Sequence, residues 1–559
     1  MSSNHSGWQF WIDRGGTFTD IVARRPDGAT LTCKLLSENP EMYRDAGAEG
    51  IRRILGVTLN RPLPDISIDA IKMGTTVGTN ALLERRGEPT VLVITQGFGD
   101  LLRIGYQHRP DIFALRIKRP EMLYRTVVEV GGRVSARGEE LAPLNPDDIG
   151  RDLQSAFDAG IRSVAVVLMH AWVNPEHELQ IKQIAEAIGY TQISLSHQVS
   201  PLMKIVSRGD TTVVDAYLSP VLRRYVDRFG SELSGFSQNR TRLLFMQSNG
   251  GLSDAGSFQG KDCILSGPAG GMVASVAVSK QAGFDKIITF DMGGTSTDVA
   301  HFAGEFERSF DTDVAGVRIR APMMNIHTVA AGGGSILKFD GIRFRVGPES
   351  AGANPGPCGY RRGGPLCVTD ANLILGKIPV EHFPKVFGPQ GNLSLDLELV
   401  RRRFHELAAE IDRSTGKNQR PEQIAEGFLS VAVENMANAI KRISVQRGYN
   451  VSEYILCCFG AAAGQHACKV ADALGMGKIL IHRYAGVLSA YGMGLADIRV
   501  IREQAIERLL SDETLEDLET VFQRAENACK QELFKQSVAQ HQILTLRKLH
   551  IRYQGTDTA

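Results

Sequence analysis

At 559 residues the chain is too long for one hydrophobic core and should divide into roughly two to four domains. A hydrophobic fraction of 43% with 22% charged residues is ordinary for a soluble globular protein. A net charge of +1 gives no electrostatic case for nucleic acid or an anionic membrane as partner. No apolar run approaches the ~20 residues of a membrane helix, and residues 163–169 are only about a strand's length. The N-terminus has no apolar h-region, and the 8 cysteines form no CxxC pair or disulfide-like framework. A cytoplasmic protein is the expectation.

In chain order, "WQFWID" from residue 8 reads as a strand, followed by a glycine loop, the strand "IVARR", a turn at Pro26-Asp27-Gly28 and the strand "TLTCKLL". A Walker or Rossmann loop would lead into a helix, and Walker A needs a Gly-Lys-Ser/Thr ending that is absent, so both are excluded. "TNALLERRG" predicts a helix ending at Gly87, then the strand "TVLVIT". Helix–strand alternation continues through "DLQSAFDAG", "SVAVVLMH", "ELQIKQIAEAIG" and "QISLS", with a long helix at 215–233 interrupted or kinked at Pro220. After "RLLFMQSNGGL" comes a small-residue helix from "SGPAGGMV", the strand "KIITFD", a second glycine loop and a predicted hairpin, "VAHFAGEFERSF". Phe428, Ala432, Met436, Ala439, Ile440 and Ile443 recur at helical spacing, with Gly448 as a stop. The strand "YILCCFG", the loop "AAAGQHA", a helix to Gly475 and the strand "KILIHR" follow. Residues 503–540 read as helical, and "LTLRKLHIRYQGTDTA" as a strand without a return partner, which suggests a longer natural protein.

The two glycine loops are near copies. "IDRGGTFTDIVA" (12–23) and "FDMGGTSTDVA" (290–300) share Asp-x-Gly-Gly-Thr-x-Thr-Asp, with Asp13 and Asp291 lying 278 positions apart. Glycines without Cβ atoms let backbone N–H groups approach an anion, threonine hydroxyls can donate to its oxygens, and carboxylates can hold hydrated Mg²⁺. One such loop could be a tight hairpin turn. Two copies suit a clamp on a polyphosphate from both sides.

This arrangement resembles the actin-like ATPase fold of actin, the 70-kDa heat-shock chaperones and the acetate and sugar kinases: a two-lobed α/β fold with ATP in the cleft. The resemblance implies phosphate binding by Gly15, Gly16, Thr17 and Thr19 in the first loop and by Gly293, Gly294, Thr295 and Thr297 in the second. Asp13 and Asp291 would be catalytic and would position Mg²⁺ through water. Gly460 and Gly464 would contact adenosine, although Ala461 and Ala463 stand where more glycine is usual. "MGTTVGTNALLERRG", "LSGPAGGMV", "TVAAGGGS", "VGPESAGANPGP", "VTDANLILG" and "GQHA", together with the loops, narrow the resemblance to the hydantoinase A/oxoprolinase family, on its 5-oxoprolinase side. Arg14, "KLLSENP", "GIRRIL" and the terminal "LHIRYQGTDTA" carry that last step.

The family resemblance implies ATP-dependent opening of a small-molecule lactam, 5-oxo-L-proline, to glutamate. It also implies a hydantoinase B-like half as partner, fused or separate, and a homo-oligomer is expected. Rival readings are phosphoryl chemistry on a hydantoin or on a ketone to be carboxylated, and a nucleotide-gated binding module. The expected organisation is an N-terminal lobe over 1–239, a second lobe over 240–502 and an incomplete C-terminal domain over 503–559.

Other residues keep two readings each. Asp20 and Asp298 either join the phosphate site or hold their hairpins together. Gly332, Gly333 and Gly334 form a backbone anion or substrate site, or a close-packed turn. His327 is an acid/base group, a metal ligand or a half-buried structural histidine, His466 a residue serving the adenosine loop or a helix cap, and Cys358 a zinc ligand or a spectator thiol. A substrate carboxylate would need a cation: Arg14 is one candidate, although it could equally approach the nucleotide phosphates, and Arg103 and Arg109 are others, or plain surface arginines. Thr75 and Thr76 would line the substrate cleft or cap the following helix.

Overall fold

The computed structural model describes residues 7–39, 41–57, 66–107, 113–116, 121–233, 241–388 and 392–556. Its two main sheets are built on one plan. In the first, strand Trp8–Arg14 pairs antiparallel with Phe18–Arg24, which pairs antiparallel with Thr30–Leu36. On its other side Trp8–Arg14 runs parallel to Ile68–Thr75, and that strand parallel to Arg242–Met246. In the second sheet, Lys286–Met292 pairs antiparallel with Thr297–Ala303, and that strand with Ile326–Val329. Lys286–Met292 also runs parallel to Ile455–Phe459, which runs parallel to Ile479–Leu480. Each sheet therefore has a glycine-loop hairpin beside a parallel pair, the arrangement expected of a two-lobed actin-like α/β fold.

The first sheet takes two of its strands, Arg242–Met246 and Leu252–Asp254, from beyond residue 240. In chain order, between its parallel strands Ile68–Thr75 and Arg242–Met246, lies a separate four-stranded parallel sheet, ordered Gln192–Leu195, Ser163–Val167, Thr90–Thr95, Tyr124–Val130. Its central strands are buried on both faces, as continuous β-branched runs such as "TVLVIT" require.

Helix Ile205–Glu232 begins ten residues earlier than the sequence suggested and runs through Pro220 without a break. Proline cannot donate to the carbonyl of Ala216 one turn back, and Ser163 Oγ donates to it instead (2.7 Å). The buried small residues of helix Ser266–Gln281 let helix Leu488–Leu495 approach until a Cβ on Gly492 would stand 1.9 Å from the Gly270 carbonyl oxygen. That second helix also lies on Trp11, so it joins the two sheets through one apolar cluster.

Four expectations need correction. Residues 308–314 do not return onto Thr297–Ala303; they pair with Val317–Met324 in a separate ribbon. The helix after Thr76 spans Val77–Leu83 and stops before Gly87, because Arg85 takes a left-handed φ of 56°. "KILIHR" forms only the two-residue strand Ile479–Leu480. The described part of the last segment, residues 544–556, carries no strand; a lone strand without a partner has no ladder to form, and Leu544, Leu546 and Tyr553 stand exposed. Helix Asp512–Lys535 does form where the tail reads as helical.

Candidate active site between two matching loops

Each loop closes with the same backbone bond. Gly15 N–H donates to the Phe18 carbonyl (3.1 Å), and Gly293 N–H donates to the Ser296 carbonyl (3.0 Å). Ladder register sets Asp13 opposite Asp20, and Asp291 opposite Asp298. The charges of these four carboxylates act on one another across the two loops. The two loops therefore lie within electrostatic range of each other.

Burial pushes the Asp13 carboxyl up to about 7, with Asp20 adding to the shift and Lys34 opposing it. Asp291 is raised well above the usual carboxylate range, first by burial and then by Asp298 and Asp13. Burial lifts Asp298 to about 6 against a hydrogen bond from Thr328, and it lifts Asp20 against Lys34. Asp20 and Asp298 thus have partners within their own sheets, in keeping with their hairpin-holding role. Asp13 Oδ1 is buried without a hydrogen-bond partner among the described residues. The start of helix Ser266–Gln281 abuts it, since a Cβ on Gly267 would lie 2.9 Å from that oxygen, and a helix N-terminus favours the charged form.

Among the described residues no three His, Cys, Asp or Glu side chains converge on one metal position. Magnesium needs no such cage: it keeps most of its water and uses one or two carboxylates plus phosphate oxygens. Two acidic loops with an unpartnered carboxylate oxygen fit that donor set.

The loop threonines divide into two pairs. Thr19 is fully buried and shares a hydrogen bond with Ser37 Oγ (3.0 Å), which itself donates to the Gly15 carbonyl (2.7 Å). Thr297, at the equivalent place, is fully buried and donates to the Ala331 carbonyl. Both support the loops from behind. Thr17 and Thr295 are half-buried and exposed respectively, and their hydroxyls make no hydrogen bond among the described residues. Gly16 and Gly294 have open space where a Cβ would project.

The glycine run packs against the second loop. Gly333 N–H donates to the Gly293 carbonyl (3.1 Å) and Gly334 N–H to the Gly294 carbonyl (2.6 Å). Gly332 N–H is taken by Ser335 Oγ (2.9 Å). A Cβ on Gly332 would fall 2.5 Å from the Thr295 carbonyl carbon. Gly332 and Gly333, expected as substrate contacts, therefore spend their amides on the fold: the close-packed-turn reading holds. Thr369 fixes the run by donating to the Gly333 carbonyl through both Oγ1 (2.8 Å) and N–H (2.7 Å).

Behind that run lies Asp370, which the sequence reading passed over. It accepts from the amides of Cys358 (3.0 Å), Gly359 (2.8 Å) and Cys367 (2.8 Å) while burial still raises it to about 7. Only its place in "VTDANLILG", one residue after Thr369, hinted at this role. Cys358 is a buried free thiol, raised to about 11 by burial and by Asp370.

Gly460 takes φ +89°, and a Cβ there would stand 2.3 Å from Asp291 Oδ1. Gly464 is exposed, with nothing near its missing Cβ. The methyl of Ala463 is buried in the second lobe's core while Ala461 is exposed, so Ala463 does not narrow an open pocket. His466 starts helix Ala467–Leu474 without a side-chain cap bond, which removes the capping reading. It pairs instead with Asn372 (Nε2 to Nδ2, 3.1 Å), and burial lowers it to about 4.

The remaining candidates are dispersed. His327 lies across from Val299, on the opposite face of its strand from Thr328, beside Arg442. Arg103 is exposed and ion-paired with Asp100 (3.6 Å). Arg109 falls outside the described residues. Thr75 Oγ1 accepts from Val77 N–H (3.2 Å), while Thr76 donates through N–H and Oγ1 to the Arg14 carbonyl (both 3.2 Å). Thr76 makes no side-chain cap bond, so Thr75 is the one that serves the helix start.

With this geometry in place, comparison with known proteins is informative. The family model described as hydantoinase/oxoprolinase N-terminal region matches residues 9–189, and the one described as hydantoinase/oxoprolinase matches residues 208–502. The 5-oxoprolinase of Dictyostelium discoideum is 43% identical over 99% of this chain and 47% of its own length. The 5-oxoprolinase 1 of Arabidopsis thaliana is 43% identical over 99% of this chain and 46% of its own length. The chain thus spans about half the length of these curated relatives. Among solved structures, the ATP-dependent caprolactamase from Pseudomonas jessenii superposes with a TM-score of 0.77 and 32% identity, over 94% of this chain and 76% of that one. A nucleotide-free acetone carboxylase shares the fold at a TM-score of 0.74 and 21% identity, over 96% of this chain and 78% of that one. Among the described residues no helix is long and apolar enough to cross a membrane.

Proposed function

The chain belongs to the hydantoinase/oxoprolinase family, and we propose that it is the ATP-using half of a 5-oxoprolinase, opening 5-oxo-L-proline to L-glutamate with release of ADP and phosphate. The observation that carries the reading is the pair of loops that close alike and set Asp13 and Asp291 within electrostatic reach of each other.

A lactam amide is too stable to open readily with water alone. Transfer of the γ-phosphoryl group to the lactam oxygen breaks the bond to ADP and forms a bond from phosphorus to that oxygen. The ring carbon becomes more electrophilic and its oxygen a leaving group. Water then adds at that carbon, the ring C–N bond breaks with a proton passing to the departing nitrogen to leave an acyl phosphate, and a second water displaces phosphate from it to give glutamate. The chain's part is to hold and stabilise the moving phosphoryl group. Backbone N–H groups around Gly15, Gly16, Gly293 and Gly294 can approach phosphate oxygens, and Thr17 and Thr295 can donate to them from the exposed side of each loop. Asp13 and Asp291 would hold Mg²⁺ through water, and that ion supplies neutralisation of the phosphate charge. The open backbone at Gly464 suits the adenosine side. A hydantoinase B-like half, fused or separate, would complete hydrolysis; that the curated relatives extend well beyond the matched region supports it.

The test is ADP release from Mg·ATP with 5-oxo-L-proline, with a hydantoin and with neither, for the chain alone and with the complementary half supplied. ADP formation that requires 5-oxo-L-proline is expected. Release indifferent to it in both settings would overturn the substrate assignment and leave only a nucleotide site.

A further inference from the structure

The two loops differ at their second position, where the first has Arg14 and the second Met292. Met292 is buried in its lobe's core. Arg14 has no equivalent satisfaction: its guanidinium makes no hydrogen bond or ion pair among the described residues, and its Nε is buried without an acceptor. The guanidinium carbon stands 5.3 Å from the centroid of the buried Tyr225 ring. Arg228 stands 5.6 Å from the same centroid. Asp45 lies within electrostatic range of Tyr225, with Oδ1 occupied by the amides of Gly47 (2.9 Å) and Ala48 (3.1 Å). Asp45 Oδ2 is buried without a hydrogen-bond partner among the described residues, and Arg228 is exposed, so the half-buried Arg14 and the Asp45 carboxylate are the charges held inside this corner.

Strand alternation separates the corner from the phosphate side. Phe10, Ile12 and Arg14 share one face, where Phe10 and Ile12 pack with Ala48, Ile51, Tyr225 and Phe229. Trp11 and Asp13 share the other, toward helices Ser266–Gln281 and Leu488–Leu495. An anion held by Arg14 is therefore not one that Asp13 shares through a metal ion. A planar guanidinium lying over an aromatic ring, with its donors free, suits a planar carboxylate.

We propose that Arg14, set by Tyr225, is the subsite for the carboxylate of the acceptor, a small cyclic amide acid. This rests on the reading of the chain as the ATP-using half of a 5-oxoprolinase, and it assigns one residue to acceptor selection where the nucleotide loops leave it open.

Calorimetric titration of the chain, loaded with Mg²⁺ and a non-hydrolysable ATP analogue, tests it with 5-oxo-L-proline and with 2-pyrrolidinone, the same ring without a carboxylate. The analogue is titrated separately, and wild type is compared with Arg14→Met and Arg14→Lys. Arg14→Met places at this position the residue found in the second loop, and thermal unfolding checks that both variants fold. Wild type should prefer 5-oxo-L-proline; Arg14→Met should lose about tenfold or more of that affinity and the preference with it, at unchanged nucleotide affinity. Arg14→Lys should retain part, as a point charge without the planar fork. Equal binding of 5-oxo-L-proline by wild type and both variants would overturn the subsite alone. Weakened nucleotide binding in Arg14→Met would give Arg14 to the phosphates and also overturn it. Failure of the underlying reading looks different: wild type would bind 5-oxo-L-proline no better than 2-pyrrolidinone, and the subsite would fall with it.

Discussion

Asp13 and Asp291 occupy the same place in two sheets, each at the end of a strand with a second aspartate directly across the ladder, and the charge of Asp13 raises the proton affinity of Asp291. Four half-buried carboxylates repel one another here with Lys34 as the main cationic relief. A site that disfavours its own ionisation is poised for a divalent cation, which replaces the proton.

That relation predicts a pH dependence. Asp13 is raised from 3.8 to about 7, so between those values the folded chain binds more protons at this group than the unfolded chain does. Its contribution to stability is therefore fully present below 3.8 and is lost as pH rises toward about 7. Thermal midpoints without ligand should fall across this window, and Asp13→Asn should flatten the fall and raise the midpoint at neutral pH. Stabilisation by Mg·ADP should grow over the same window, since the ion competes with the proton. Midpoints with and without Mg·ADP, measured from pH 5 to 8, check both; parallel curves would count against a carboxylate-held ion.

Asp13→Ala and Asp291→Ala should each remove Mg·ATP-dependent turnover, by about a hundredfold or more, because each loses a group that neutralises charge around the moving phosphoryl. Neither should unfold the protein, since each removes a buried like charge. Normal turnover in both variants, in a preparation shown to be active, would dismiss the paired-loop assignment.

Gly460 and Gly464 should respond differently to alanine. At Gly460 the new methyl would meet Asp291 Oδ1 at 2.3 Å from a backbone at φ +89°. Left-handed geometry costs a residue with a Cβ about 1–2 kcal/mol, and displacement of Asp291 comes on top. Gly460→Ala should lower both the thermal midpoint and activity, whereas Gly464→Ala meets open space and should leave stability unchanged. Side-by-side unfolding and nucleotide-binding measurements separate the two.

The doubled motif was readable because chemistry and hairpin geometry both reside in eight consecutive residues. Its spatial meaning was partly readable, since two copies of one loop on one sheet plan imply facing sites. What stayed hidden depends on residues distant in sequence. Nothing in "AAGGGS" shows that its amides go to Gly293 and Gly294, and nothing in "VTDANLILG" shows Asp370 collecting three amides. Pro220 reads as a break until Ser163 is seen to satisfy the stranded carbonyl. Strand periodicity near residue 545 was equally legible, yet a pattern cannot supply the neighbouring strand that a ladder requires.

His327→Gln should leave turnover within about twofold, because the side chain lies beside Arg442 on the face away from Thr328 and Asp298. Burial and Arg442 lower its proton affinity. An acid/base role would instead produce a large loss together with a lost limb in the pH–rate profile.

The threonine pairs supply the sharpest division. Thr19 and Thr297 have hydroxyls committed within the fold, to Ser37 and to the Ala331 carbonyl, and both are fully buried. Valine at Thr297 strips the Ala331 carbonyl of this donor and should cost about 1–3 kcal/mol, while valine at Thr19 removes one of two bonds of Ser37 Oγ and should cost about 1 kcal/mol. Thr17 and Thr295 lie on the open side with uncommitted hydroxyls. Valine there should leave the thermal midpoint nearly unchanged while weakening Mg·nucleotide binding or slowing phosphoryl transfer. One unfolding series and one nucleotide titration across the four variants decide the matter. If Thr17→Val and Thr295→Val bind nucleotide as wild type does and turn over normally, phosphate contact in these loops rests on backbone amides alone.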